Sequence, residues 1–330
     1  MASMISYFVE KGWFSYELLN AKIRDFKCKG RDTGNKPAFV RMDGLKLGGH
    51  AIQNWTLLRL FPLIIGDNVI DKSDSMWKLY LDLKLICEYV CAPSLSTWQI
   101  DEEMRQLITD YMSKRKCLKN NYKPKHHFFH HLADLFIKVG PMIHMWTLGF
   151  EHFHSAFKRT AKACMNFINL IHTLGKQHQR MQAYQSTGSL FPAGVSNSKD
   201  AFPLTYESFT GRLQEFVRSA DFSNQAVTLK NVKFNGIEYK LGDWMLLGRM
   251  LEDRSFYVGK IKLITSDNEN YRLVLEKFMV ELWEDYGLYR VIKRNPELIF
   301  LSLEENLDNP CPHPCYKFKG KTCLSLKHTQ

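Results

Sequence analysis

The stretch WTLGFEHFH, residues 146–154, places a single acidic side chain, Glu151, where an apolar segment meets a long run of helical period. The apolar segment, residues 142–148 (MIHMWTL), reads as a short buried strand, so Glu151 falls in the first turn of the helix that follows. The positive end of a helix favours a carboxylate in its ionised form, and ionised oxygen is the donor that a hard divalent metal takes. In a two-metal nuclease, a glutamate so placed completes a carboxylate set whose metals activate water and stabilise the leaving oxygen. Acids also gather in first helical turns for electrostatic reasons alone, so position by itself leaves both readings open.

Two other groups carry metal-ligating side chains. His126 and His130 form one i, i+4 pair and His127 and His131 another, with His144, His152 and His154 downstream. Two histidines one turn apart can grip a metal ion. Two full pairs on adjacent faces do not readily serve one ion, and one packed pair beside one exposed pair is the alternative. Near the C-terminus, Cys311, His313, Cys315 and Cys323 offer four zinc-type donors, but their proline-interrupted spacing matches no common zinc-finger pattern. The competing expectation there is a disordered tail. No glycine-rich phosphate loop and no Gly-x-Ser-x-Gly nucleophile elbow occurs in the sequence.

Charge points to a partner. The 330 residues carry a net charge of +11. Residues 111–185 hold twelve Lys or Arg against two acids, Asp134 and Glu151, so this window accounts for +10 of the total. A basic excess held in one segment suggests a polyanion, nucleic acid first. Charge alone does not separate DNA from RNA or from an acidic protein. Lys158, Arg159, Lys162, Lys176 and Arg180 project from the polar sectors of the run 150–184 and are the candidate contacts.

Hydrophobic residues at 45% and charged residues at 24% fit a folded chain. No run of eighteen uncharged apolar residues occurs, so no membrane span is expected. The first fourteen residues contain Glu10 and Lys11 and lack the pattern of a secretory signal. The eight cysteines then read as reduced thiols of a nuclear or cytoplasmic protein, with Cys87 and Cys91 packed in a core. Helices are expected after Ser15, over 51–65 with a bend or end near Pro62, from Asp74 or Ser75 to Val90, over 101–113, from Pro124 to the Gly140–Pro141 breaker, and as one long helix over 150–184. Ser, Gly and Asn enrich residues 186–203, which opens a linker over 186–224 with a short helix near 206–219. Strand-like runs separated by turns then fill 225–310 and suggest a small β-barrel-like domain, with residues 311–330 as a tail. Trp244, Tyr257, Trp283 and Tyr286 can line a peptide groove there, as in a protein-interaction or chromatin-binding module or for self-association, or simply fill a small core. The fold class is α+β, mostly helical over 1–185 and β beyond 225.

Residues 123–179 resemble a family of metazoan transposon-derived proteins related to CACTA/EnSpm-type transposases. The elements that carry the resemblance are Pro124–Phe128 (PKHHF), Gly140–Pro141, Trp146, Phe150–Glu151, His154, Phe157–Lys158, Asn166–Phe167 and His178–Gln179. Residues 47–67 (LGGHAIQNWTLLRLFPLIIGD) and the β region with YKLGDWMLL and YVGKIKLI are similar to the same family, so the resemblance covers most of the chain. It implies an RNase H-like catalytic core interrupted by a helical insertion, with two aspartates before the insertion and a glutamate on a helix after it. Glu151 takes the place of that glutamate, residues 13–138 that of the insertion, and Mg²⁺ or Mn²⁺ would bind only a complete acidic set. Two departures stand out. Gly149 occupies a position where relatives tend to have Arg, and no strand-borne aspartate pair precedes Asp43; Asp67 and Asp71 follow an apolar helix in a loop. The resemblance therefore implies a DNA-binding, transposase-derived chain without cleavage activity of its own.

Overall fold

Two capping residues start helices where their side chains predict. The Ser15 hydroxyl accepts from the Leu18 backbone N–H at 3.2 Å, and the Asp74 carboxylate accepts from the N–H groups of Met76 and Trp77 at 2.8 and 3.2 Å. They open α2 (Tyr16–Asp25), which follows α1 (Ala2–Glu10), and α4 (Ser75–Val90), which follows α3 (Ala51–Ile65). These elements belong to a computed structural model that describes residues 1–41, 46–118, 124–165, 168–184, 186–187, 196–197, 201–220, 222–234, 237–249, 255–267, 270–303 and 312–328. Pro62 does not end α3, which runs on to Ile65. Its missing N–H leaves the Leu58 carbonyl without a helical donor, and the buried Tyr80 hydroxyl of α4 donates to that oxygen at 2.7 Å instead.

Around this contact Phe8, Phe14, Phe61, Trp77 and Tyr80 form an aromatic core, with Phe8 stacked on Trp13 at 5.0 Å. A π-helical turn (Gln99–Met104) leads into α5 (Arg105–Cys117), whose Ile108, Tyr111 and Met112 extend that core. Cys87 packs against this core and Cys91 is buried one turn on, and burial pushes their thiols up to about 12 and about 11. The short α6 (Pro124–His127), a 3-10 turn (Phe128–His131) and α7 (Leu132–Val139) follow, and Gly140, at φ 84°, stops α7 as the breaker pair predicts.

Three expectations fail from here on. The segment 142–148 is no strand: Met142–His144 forms a 3-10 turn, with His144 N–H donating to Pro141 O and Met145 N–H to Met142 O. A lone strand leaves its backbone groups unmet, and no strand among the described residues lies alongside. The run 150–184 is not one helix but two, α8 (Leu148–Cys164) and α9 (Leu170–Tyr184), broken where Met165 turns to a left-handed φ of 45°. The expected tail 311–330 is ordered over 312–328 and ends in a β-hairpin, described below.

The chain then turns to β. In the linker, β1 (Ser196–Asn197) and β2 (Ala201–Pro203) are already strands, and α10 (Arg212–Arg218) is the short helix expected there. Next come β3 (Val227–Leu229), β4 (Asn231–Phe234), β5 (Ile237–Lys240), β6 (Trp244–Arg249), β7 (Phe256–Asp267), β8 (Asn270–Trp283), β9 (Leu288–Ser302), β10 (Cys315–Phe318) and β11 (Lys321–Leu324). One antiparallel sheet has the order β10-β11-β9-β8-β7-β3-β2, with β6 also on β7, and a smaller one the order β1-β4-β5. Register shifts at Ile261/Leu263 and Lys277/Met279 bend the long strands, and the large sheet curls into an antiparallel half-barrel. The molecule is thus α+β.

The β10–β11 hairpin turns through Lys319 and Gly320, whose φ values of 47° and 73° are the pair a two-residue type I′ turn needs. It pairs with β9 and delivers Tyr316, Phe318 and Cys323 into the aromatic helical core, where Tyr286 and Leu288 join them. The helices and the half-barrel, separate in sequence, share this core. Polar ties reinforce the seam. Trp77 Nε1 donates to Asp285 O at 2.8 Å, Ser325 Oγ to Arg59 O at 2.7 Å, and buried Lys84 bonds both Glu88 and Gly287 O. Among the described residues no helix is long and apolar enough to cross a membrane.

Candidate nucleic-acid interface

α8 and α9 pack chiefly on each other. Ala156, Phe157 and Thr160 of α8 face Leu174, Gln177, His178 and Met181 of α9, with the Phe157 and His178 rings 5.6 Å apart. No described side chain of either helix is fully buried. At 100° per residue, the positions outside this seam include Lys158, Arg159 and Lys162 on α8 and Lys176 and Arg180 on α9. All five are exposed. None forms an ion pair with a carboxylate among the described residues. Two other cations of the basic window are engaged: Lys114 pairs with Asp82 at 2.7 Å, and Arg115 is buried against the Tyr111 hydroxyl. Asp134, one of the two acids in the window, is held by Arg105 at 2.9 Å. Five exposed cations thus stand on the α8–α9 pair, with Lys116 and Lys138 exposed elsewhere in the window. Beside the five, Ile168 and Ile171 are 94% and 88% exposed.

The acidic candidates fare differently. Glu151 lies in the first turn of α8, as expected, but its side chain lies outside the described residues. Asp43 also lies outside them. Asp67 faces Lys319 at 3.6 Å, and Asp71 accepts from the Ser73 N–H at 2.8 Å and from its hydroxyl, bonds that hold its carboxyl below the usual range. Asp71 thus serves the turn that precedes α4, and Asp67 faces the β10–β11 hairpin.

Of the four clustered histidines, the two whose rings meet are His127 and His131, with Nε2 atoms 3.1 Å apart. His126 lies against the Phe129 ring, and His130 is exposed. At the C-terminus Cys311 lies outside the described residues. Cys315 and Cys323 sit on paired strands, and burial pushes both thiols up to about 11. Among the described residues no three His, Cys, Asp or Glu side chains are grouped to hold a metal ion.

His313 is buried, with neither ring nitrogen hydrogen-bonded, and burial, followed by the neighbouring His328, Lys327 and Arg59, holds its pKa well below the ordinary imidazole value. It is neutral in the fold, whereas the unfolded chain takes up its proton near pH 6.5. Its contribution to stability is therefore present above that pH and lost as pH falls below it, with a limiting slope of about 1.4 kcal/mol per pH unit. Urea titrations between pH 7.5 and 5 should show this loss, and His313→Leu should flatten the profile; an unchanged slope in the variant would contradict the assignment.

The four aromatics proposed for a peptide groove divide. Tyr286 is buried in the shared core, and Trp283 packs on it at 4.8 Å. Trp244 and Tyr257 remain half-buried, with Lys260 and Lys277 over their rings at 5.7 and 4.3 Å. Periodicity could not find the buried ion pairs Arg59–Asp32 and Lys84–Glu88; the one signal was Arg59 standing inside an apolar run. No protein-family model, no curated protein and no solved structure matches this chain.

Proposed function

We propose that the chain is the C-terminal part of a cut-and-paste DNA transposase of the CACTA/EnSpm kind, or a host protein derived from one, and that it binds DNA through Lys158, Arg159, Lys162, Lys176 and Arg180. The observation that carries this reading is that these five cations stand exposed on a helical pair with no neutralising carboxylate among the described residues. Lys and Arg in that setting release counterions from a phosphate backbone, which gives binding that is salt-dependent and largely indifferent to sequence. The ordered motifs over 123–179 support the transposase origin.

In this reading the exposed Ile168 and Ile171 beside α8–α9 belong against the sheet of an RNase H-like core. Glu151 is the remnant of the acidic set. One carboxylate cannot hold two metals, and Asp67 and Asp71 are committed to Lys319 and Ser73. We therefore assign no Mg²⁺- or Mn²⁺-dependent cleavage step to this chain.

The test is a fluorescence-anisotropy titration of the full chain with a labelled duplex across a salt series, with and without Mn²⁺, followed by a check for nicks. Binding should weaken with a slope of roughly −4 to −5 in log affinity against log salt if all five cations meet phosphates, and the duplex should stay intact. Absent or salt-indifferent binding would refute the reading. Nicking abolished by Glu151→Gln would show a complete acidic set instead.

A further inference from the structure

The half-barrel carries a second basic surface, distant in sequence from α8–α9. Two adjoining pockets of about 660 and 720 Å³ share Trp244, Lys260, Lys317 and Thr322. Strand register places these residues: Trp244 lies opposite Lys260 across β6 and β7, and Lys317 opposite Thr322 in the β10–β11 hairpin. The His313 backbone N–H donates to Trp244 O at 2.7 Å and ties the C-terminal segment to β6. One wall of the groove is thus the curled sheet and the other the C-terminal hairpin. Phe278 backs the Trp244 ring at 5.3 Å and leaves it half-buried.

The charges in this groove do not cancel. Lys240 pairs with Glu238 at 3.1 Å, and Arg290 with Glu281. Asp243 accepts the backbone N–H of Lys240 at 3.0 Å. Lys29, Lys260, Lys317 and Lys321 meet no carboxylate among the described residues. Their ammonium groups rest on neutral partners: Lys29 on Cys315 O at 2.9 Å, Lys317 on Thr322 Oγ1 at 2.7 Å, Lys260 over Trp244, and Lys321 over Trp283 at 5.3 Å. Four like charges converging on one groove repel one another, and a polyanion relieves that repulsion.

The ring decides which polyanion fits. A flat, half-buried indole among lysines can stack a base, because every base presents a π-face, but it reaches a base only where the strand is unpaired. An acidic peptide would satisfy the lysines without using the ring, which packs on Phe278 beneath Lys260 until that lysine moves to a phosphate. We infer that this groove binds single-stranded nucleic acid, with phosphates on Lys29, Lys260, Lys317 and Lys321 and a base on Trp244. The inference uses none of the residues assigned to the duplex site and does not depend on that assignment.

The test titrates the full chain with a short fluorescein-labelled oligo(dT) and, separately, with oligo-glutamate. Salt-sensitive oligo(dT) binding that quenches tryptophan emission is expected. The Lys260→Gln, Lys317→Gln, Lys321→Gln triple variant, checked for native circular dichroism, should weaken it by about a hundredfold at low salt. Trp244→Ala should weaken it by about tenfold or more, and Trp244→Phe far less. The variant lacking Lys158, Arg159 and Lys162 should bind oligo(dT) like the parent. Undiminished oligo(dT) binding by the lysine variant overturns the proposal, and so does tighter binding of oligo-glutamate than of oligo(dT).

Discussion

Asp32→Ala will destabilise the folded chain by about 3–5 kcal/mol, the range found when one partner of a buried ion pair is removed. Arg59 is fully buried on α3, and its guanidinium meets Asp32 at 2.7 Å. Lys327 approaches the same carboxylate from the C-terminal segment at 3.8 Å. The guanidinium also lies over the Trp55 ring at 4.3 Å. Without Asp32, Arg59 and Lys327 lose the carboxylate they share. A urea unfolding midpoint gives the measurement. The double variant Arg59→Met, Asp32→Leu should recover much of the loss, because burying neither charge avoids the desolvation penalty. A loss under about 1 kcal/mol for Asp32→Ala would mean that solvent reaches the pair. Because Ser325 bonds the Arg59 carbonyl, the loosening should spread first to residues 312–328.

The second large effect is on binding and should leave the fold intact. Replacing Lys158, Arg159 and Lys162 together by Gln should weaken duplex binding by about a hundredfold or more at roughly 0.1 M salt, since each lost phosphate contact removes about 0.9 from the salt slope. The three side chains are exposed and unpaired among the described residues, so stability should change by no more than about 0.5 kcal/mol. A variant that binds like the parent would move the interface elsewhere. One that binds poorly because it has unfolded would contradict the exposure of these residues.

Local chemistry was legible in the sequence where a single residue decides the outcome. Ser15 and Asp74 announced their helices because a cap is satisfied within three residues. Gly140 announced a stop because its positive φ is open to few other residues. The β character beyond 225 showed in strand-like runs separated by turns, two of which become the long β7 and β8. What failed depends on partners far along the chain. The apolar run 142–148 has strand composition, but a strand exists only beside another, and periodicity cannot tell whether one is present. The break at Met165 carried no glycine or proline to mark it. The C-terminal segment looked like a tail because its order comes from β9 and from Arg59, not from its own composition. The Trp244 groove gathers Lys29, Lys260 and Lys317 from three separate stretches of the chain, and no spacing rule connects them. The five candidate DNA contacts could be listed from the sequence because helical period alone assigns them to polar sectors.

The surface that touches duplex DNA can be located directly by amide hydrogen exchange on the full chain with and without duplex. α8 and α9 bury no described side chain and should exchange quickly when free. Exchange that slows on binding in peptides covering residues 148–184, and much less in residues 51–90, is the expected result. Unchanged exchange over 148–184 beneath saturating duplex would contradict the assignment of DNA binding to this helical pair.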